Sequence, residues 1–127
     1  MIAKEMMTTQ VMTVKPYTSI KDAMQLLVGI EISGLIVTDD NDDILGIVTE
    51  RDLLVAYEFL GQVRGPISNY MNKNIVGIQE DTTFEEISKL LVQGDIRRVP
   101  VLRGTKVVGV ISRRDLLKAV LHQQKHD

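Results

Sequence analysis

The chain has 127 residues, 44% hydrophobic and 25% charged, with a formal charge of −2 and no cysteine. This length supports one well-cored domain, and the composition is that of a folded chain. The charge balance gives no general attraction to nucleic acid or anionic membrane, the missing thiols exclude disulfides and thiolate metal sites, and no apolar run reaches the ~18–20 residues of a membrane span.

The start, Met1-Ile2-Ala3-Lys4-Glu5, lacks the apolar core of a secretory signal, so a cytoplasmic protein is expected. A short extended piece covers Val11 to Lys15. Ile20, Ala23, Met24, Leu27 and Val28 then fall on one face of an amphipathic helix, capped by Ser19 or Thr18 and closing near Gly29. Leu35 to Val37 is a buried strand, residues 39–43 are an acidic turn, and Ile44 to Thr49 is a second strand containing Gly46. A helix from Glu50 to Leu60 turns Leu53, Leu54, Tyr57 and Leu60 inward. Arg64-Gly65-Pro66 marks a joint, because Pro66 disfavours helix at Gly65.

The order then repeats. Ile75 to Ile78 is extended, and Asp81-Thr82-Thr83 caps a helix carrying Phe84, Ile87, Leu91 and Val92. Strands Val99–Leu102 and Val107–Ser112 flank the turn Arg103-Gly104-Thr105, and a helix runs to about His122. The correspondence is residue by residue. Ile20/Phe84, Leu27/Leu91, Ile32/Ile96 and Val37/Val101 match at an offset of 64, and Gly46/Gly109, Thr49/Ser112, Arg51/Arg114 and Asp52/Asp115 at 63. The expected fold is α/β (α+β): two β-α-β-β-α repeats, residues 6–62 and 66–122, packed with pseudo-twofold symmetry around a cleft, with residues 123–127 as a polar tail.

The polar residues that recur are the informative ones. Gly46-Ile47-Val48-Thr49-Glu50-Arg51-Asp52 and Gly109-Val110-Ile111-Ser112-Arg113-Arg114-Asp115 share the form Gly-apolar-apolar-Thr/Ser-x-x-Asp. Thr49 and Ser112 can cap their helices while Asp52 and Asp115 complete a capping box, with no ligand needed. The same geometry suits a nucleotide. A helix N-terminus presents free N–H groups to phosphate, a carboxylate accepts from a ribose diol, and a strand glycine lets a flat base approach. Both readings stay open at this level.

With Ile32-Ser33-Gly34-Leu35-Ile36-Val37 and Ile96-Arg97-Arg98-Val99-Pro100-Val101 ahead of these motifs, each copy resembles a CBS domain, the repeat named after cystathionine β-synthase. Val11-Met12-Thr13 and Tyr70-Met71 are similar to the family's lead-in, and the likeness covers about residues 6–121. It implies a regulatory module that binds adenosine-containing nucleotides of the AMP, ADP and ATP class between its repeats, with S-adenosylmethionine and NAD as rarer ligands. It gives the ribose to Asp52 with Thr49 and to Asp115 with Ser112. Cleft-lining roles fall on Thr13, Val14, Lys15, Ile32, Ser33 and Gly34 from one copy. From the other come Val76, Ile78, Ile96, Arg97, Arg98, Pro100 and Arg114. It further implies a homodimer forming a four-repeat disc, an effector protein of unknown identity, no required cofactor and no catalysis. Ile36 departs from the pattern, standing where Pro100 stands in the second copy.

The second copy has Arg97, Arg98 and Arg113 where the first has Ser33, Gly34 and Glu50, so anionic ligands are expected to bind more tightly at Asp115, with Lys15 adding a charge. The alternative is pairing of these arginines with acids such as Asp95. A ligand-free dimerisation module is the main competing function. An enzyme lacks a base, nucleophile or metal cluster to nominate, and a nucleic-acid binder lacks net positive charge and aromatic surface. Asp39-x-Asn41-x-Asp43 with Glu50 imitates a calcium loop, but Ile44 stands where that loop requires glycine. His122 and His126 lack the glutamate of a zinc-protease helix.

Overall fold

The computed structural model describes the chain except for residues 31, 33, 95 and 125–127. Ser33, Asp95 and His126 therefore lie outside the described residues. In chain order the elements are α1 (Ala3–Met6), β1 (Thr13–Val14), α2 (Ile20–Ile30), β2 (Gly34–Thr38), β3 (Ile44–Thr49) and α3 (Glu50–Leu60). A 3₁₀ turn (Ile67–Asn69) follows, then β4 (Ile78–Gln79), α4 (Phe84–Ser88) running on as a π turn (Lys89–Gln93), β5 (Arg98–Arg103), β6 (Lys106–Ser112) and α5 (Arg113–Gln124). The α+β class and the repeated element order stand as expected.

The chain forms two compact units, Met12–Ile75 and Met1–Val11 together with Val76–Asp127. In the first unit, β1 pairs parallel with β2 and β2 antiparallel with β3, giving the order β1-β2-β3. The second unit repeats this as β4-β5-β6. Each β2–β3-type hairpin carries one register irregularity, at Val37/Thr38 and at Val101/Leu102. The acidic turn is closed by its own first residue. Asp39 Oδ1 accepts from the amides of Asn41 (2.8 Å) and Asp43 (3.0 Å). Asp42 there takes a positive φ of 65°, which a short polar side chain tolerates. Among the described residues no three His, Asp or Glu side chains gather as a metal site.

Each sheet is completed by the segment that precedes the other repeat. Thr8 exchanges both backbone hydrogen bonds with Val110 (2.9 and 3.0 Å), and Asn72 does the same with Ile47 (2.8 and 3.0 Å). Further upstream, Ile2 bridges Thr83 and Pro66 bridges Ser19. Ala3 and Ile67, which correspond at an offset of 64, are both fully buried, each in the cluster of its own unit. The sequence repeats and the spatial units are therefore cut at different places.

The helices bury narrower stripes than their periodicity predicts. In α2 only Ile20, Ala23 and Leu27 are buried, while Val28 is 80% exposed. In α3 Leu53 and Ala56 are buried, whereas Leu54 and Tyr57, expected inward, are 61% and 48% exposed. Val92 is likewise exposed and Leu91 buried. A helix on one face of a three-stranded sheet has one contact line, at i, i+3 and i+7, so a broader apolar face is left facing outward.

Candidate functional site

Both Thr/Ser-x-x-Asp motifs sit where a strand runs directly into a helix. In the first unit, Thr49 ends β3 with extended backbone, and its hydroxyl accepts from the Asp52 amide (3.2 Å). Asp52 Oδ2 in return accepts from the Thr49 amide (2.8 Å) and hydroxyl (3.0 Å). The second unit reproduces this. The Ser112 hydroxyl accepts from the Asp115 amide (3.4 Å), and Asp115 Oδ2 accepts from the Ser112 amide (2.8 Å) and hydroxyl (3.1 Å). Each acid thus completes a capping box with one carboxylate oxygen, leaving the other for something else.

That second oxygen is where the units differ. Asp115 Oδ1 accepts from the Thr8 hydroxyl at 3.1 Å, whereas Asp52 Oδ1 has no partner among the described residues. The residue corresponding to Thr8 is Asn72, whose Oδ1 accepts instead from the Asn74 amide (2.9 Å). Asp115 is 9% exposed and Asp52 is half-buried. Asp115 also borders a groove of about 530 Å³ lined by α1 and α5 residues, among them Met6, Lys118 and His122.

Several expected ligand contacts are used otherwise. Lys15 Nζ donates to the Asp39 carbonyl at 2.7 Å, at the far end of β2 from Asp52, so it brings no charge to the mouth of its own unit. Arg113 Nε donates to the Leu91 carbonyl at 2.6 Å, satisfying a group on the π turn. The strand glycines do not make room for a base. A Cβ on Gly109 would stand 2.5 Å from Met7 Sδ, and one on Gly46 would stand 2.8 Å from the Asn72 carbonyl and 3.0 Å from Met71 Sδ. Met7 and Met71, which correspond at an offset of 64, fill that space, so Met7 and not Met12 takes the lead-in place before the first repeat.

The remaining candidates run from the helix mouths to the middle of each sheet. Gly34 pairs with Thr49 at the mouth of α3, and Thr13, opposite Ile36, starts the neighbouring strand. Arg98 pairs with Ser112 at the mouth of α5, with Arg97 exposed beside it and Val76 exposed just before β4. Arg114 is exposed in the first turn of α5. Ile32 and Ile96 pack partly buried against their cores. Val14, Ile78 and Pro100 are buried. Thr8 and Asn72 belong to neither motif. The signal was present in their matching place after the lead-in methionines, but nothing local tied them to residues more than 20 positions away.

A duplicated α+β unit with a carboxylate at each strand-to-helix mouth defines a repeat class, and the CBS domain model matches residues 3–58 and 67–122. The chain belongs to the CBS domain family. The crystal structure of CBSX2 from Arabidopsis thaliana in complex with AMP is similar to it, with a TM-score of 0.85 and 28% identity, covering 97% of this chain and 98% of that one. The CBS domain-containing protein YhcV of Bacillus subtilis is 30% identical over 89% of this chain and 81% of its own length. Inosine-5'-monophosphate dehydrogenase of Methanocaldococcus jannaschii is 31% identical over 91% of this chain, which spans only 23% of that enzyme.

Proposed function

We propose that this protein is a non-catalytic regulatory module that binds an adenosine nucleotide of the AMP class through its Thr/Ser-x-x-Asp helix mouths. The observation that carries this is Asp52 Oδ1, which has no partner among the described residues and is held at the N-terminus of an 11-residue helix by a capping box that uses only the other oxygen. A carboxylate offers about four acceptor positions. Two serve the cap, and two remain for the hydroxyls of a vicinal diol. Backbone N–H groups of the first turn add the partial positive charge that favours phosphate. The AMP complex of the similar CBSX2 supports the ligand class. Since Asp115 and Arg113 already have protein partners, the tighter site is assigned to Asp52, reversing the expectation from charge alone.

Calorimetric titration of the purified chain with AMP, S-adenosylmethionine and NADH tests this. AMP is expected to bind, and Asp52→Asn is expected to weaken its tighter step by about 10–100-fold, as for loss of one or two hydrogen bonds to a charge. Full AMP affinity in Asp52→Asn, or no AMP binding at all, refutes the assignment.

A ligand-free structural module is the second function, favoured by the fact that both acids already stabilise their helices as caps. Either function accommodates self-association. Leu54 and Leu117 correspond in the repeats and are 61% and 65% exposed; Val28 and Val92 correspond and are 80% and 65% exposed. The same apolar residues left outward twice fit the matched faces of a second copy. A dimer is expected in light scattering, converted to monomer by Leu54→Glu with Leu117→Glu. A monomeric parent protein would exclude it.

A further inference from the structure

We infer that Thr8 is a built-in occupant of the second helix mouth, an autoinhibitory hydroxyl that stands in for a ligand hydroxyl on Asp115 and makes the two sites unequal. The inference rests on the nucleotide-binding assignment for the helix mouths. Three observations lead to it. First, the Thr8 hydroxyl donates to Asp115 Oδ1 at 3.1 Å across 107 positions of sequence, taking an acceptor position that the capping box leaves open. Second, the contact is built into the fold. The Thr8 backbone exchanges two hydrogen bonds with Val110, and the preceding Met7 lies in the space that Gly109 leaves by having no Cβ. Third, the control is present in the same chain. Asn72 makes the matching backbone pair with Ile47, beside Met71 at Gly46, yet its side chain turns to the Asn74 amide, and Asp52 Oδ1 has no partner among the described residues.

The acceptor count then differs between the mouths. Of about four positions on each carboxylate, Asp52 keeps two for a diol and Asp115 keeps one. A vicinal diol therefore reaches Asp115 in full only when Thr8 rotates its hydroxyl away. Thr8 is exposed, so that rotation is open to it, and water or solvent can take the released proton donor. The cost is one hydrogen bond to a charged group, charged against the ligand at this mouth alone. Two chemically similar sites thereby become one that fills first and one that fills only at higher nucleotide concentration.

Titration of the full chain with AMP tests this. The parent protein is expected to show a tight and a weak step. Thr8→Val, which keeps the shape and loses the donor, is expected to strengthen the weak step about tenfold and leave the tight step alone. Thr8→Ser restores the parent behaviour. Asn72→Thr, placing a hydroxyl on the equivalent backbone, is expected to weaken the Asp52 step by a similar factor. A readout without nucleotide is a double-mutant cycle between Thr8→Val and Asp115→Ala in urea denaturation, where coupling is expected. Additive effects in the cycle, or a Thr8→Val titration identical to the parent, overturn the latch while leaving nucleotide binding intact. Absence of AMP binding in every variant overturns both.

Discussion

The two lead-in segments perform one packing task with different residues, and their differences separate packing from ligand control. Ile67 and Ala3 occupy corresponding, fully buried positions, so the first unit is plugged by a large side chain and the second by a small one. Met71 and Met7 fill corresponding glycine gaps. One position further on, Asn72 and Thr8 diverge: the amide folds back on its own loop, and the hydroxyl reaches across to an acid. The methionine fill is kept in both units, while symmetry is broken in the size of the plug and again where the carboxylate meets its surroundings. Duplication supplies two copies of a helix mouth, and under the latch proposed above a single side chain in the docking segment sets how much of each mouth a ligand can use.

The comparison can be broken most severely at the plug. Ile67→Ala gives the first unit the residue that the second carries at this place, but in a core shaped for isoleucine. A loss of about 2–5 kcal/mol is expected in urea denaturation. A loss below about 1 kcal/mol would mean that the lead-in does not secure the unit.

The glycine gaps sharpen it next. Gly46→Ala would drive a Cβ against the Asn72 backbone oxygen, which is fixed by its pairing with Ile47. Gly109→Ala meets Met7, a side chain that can repack. Both should destabilise within the range of about 1–3 kcal/mol for overpacking, with Gly46→Ala the worse. The opposite order would show Met7 to be the more rigid filler.

The smallest effect concerns the ion pair of Arg103 with Glu80, at 2.8 Å. The hydrogen bond from Arg103, aided by its charge, holds the Glu80 carboxyl below its usual pKa. A depressed carboxylate adds stability above its unfolded pKa and loses it as pH falls through the folded one. Glu80→Gln should therefore cost slightly at neutral pH and nothing in acid, checked by thermal melts at both. Because Arg103 is 71% exposed, salt should erase the difference.

Much of the fold was legible in the letters. The offsets of 64 and 63 announced the repeat, and Thr49, Ser112 and Thr83 marked helix starts that the structure shows as caps. The errors have a common form. Leu54, Tyr57, Val28 and Val92 were placed inward because periodicity shows which residues share a helix face, not how wide a surface that face meets. The carbonyl partners of Lys15 and Arg113 were equally invisible, because charge and position say nothing of which backbone oxygen a long side chain can reach.

Local chemistry was enough to specify two strand-to-helix mouths with an acid in each, since a capping box spans only four residues. Chain tracing in three dimensions was needed to learn which segment closes each sheet and what touches the outer oxygen of each acid. Those partners are brought together by β pairing and core filling between distant stretches, and no short-range pattern records them.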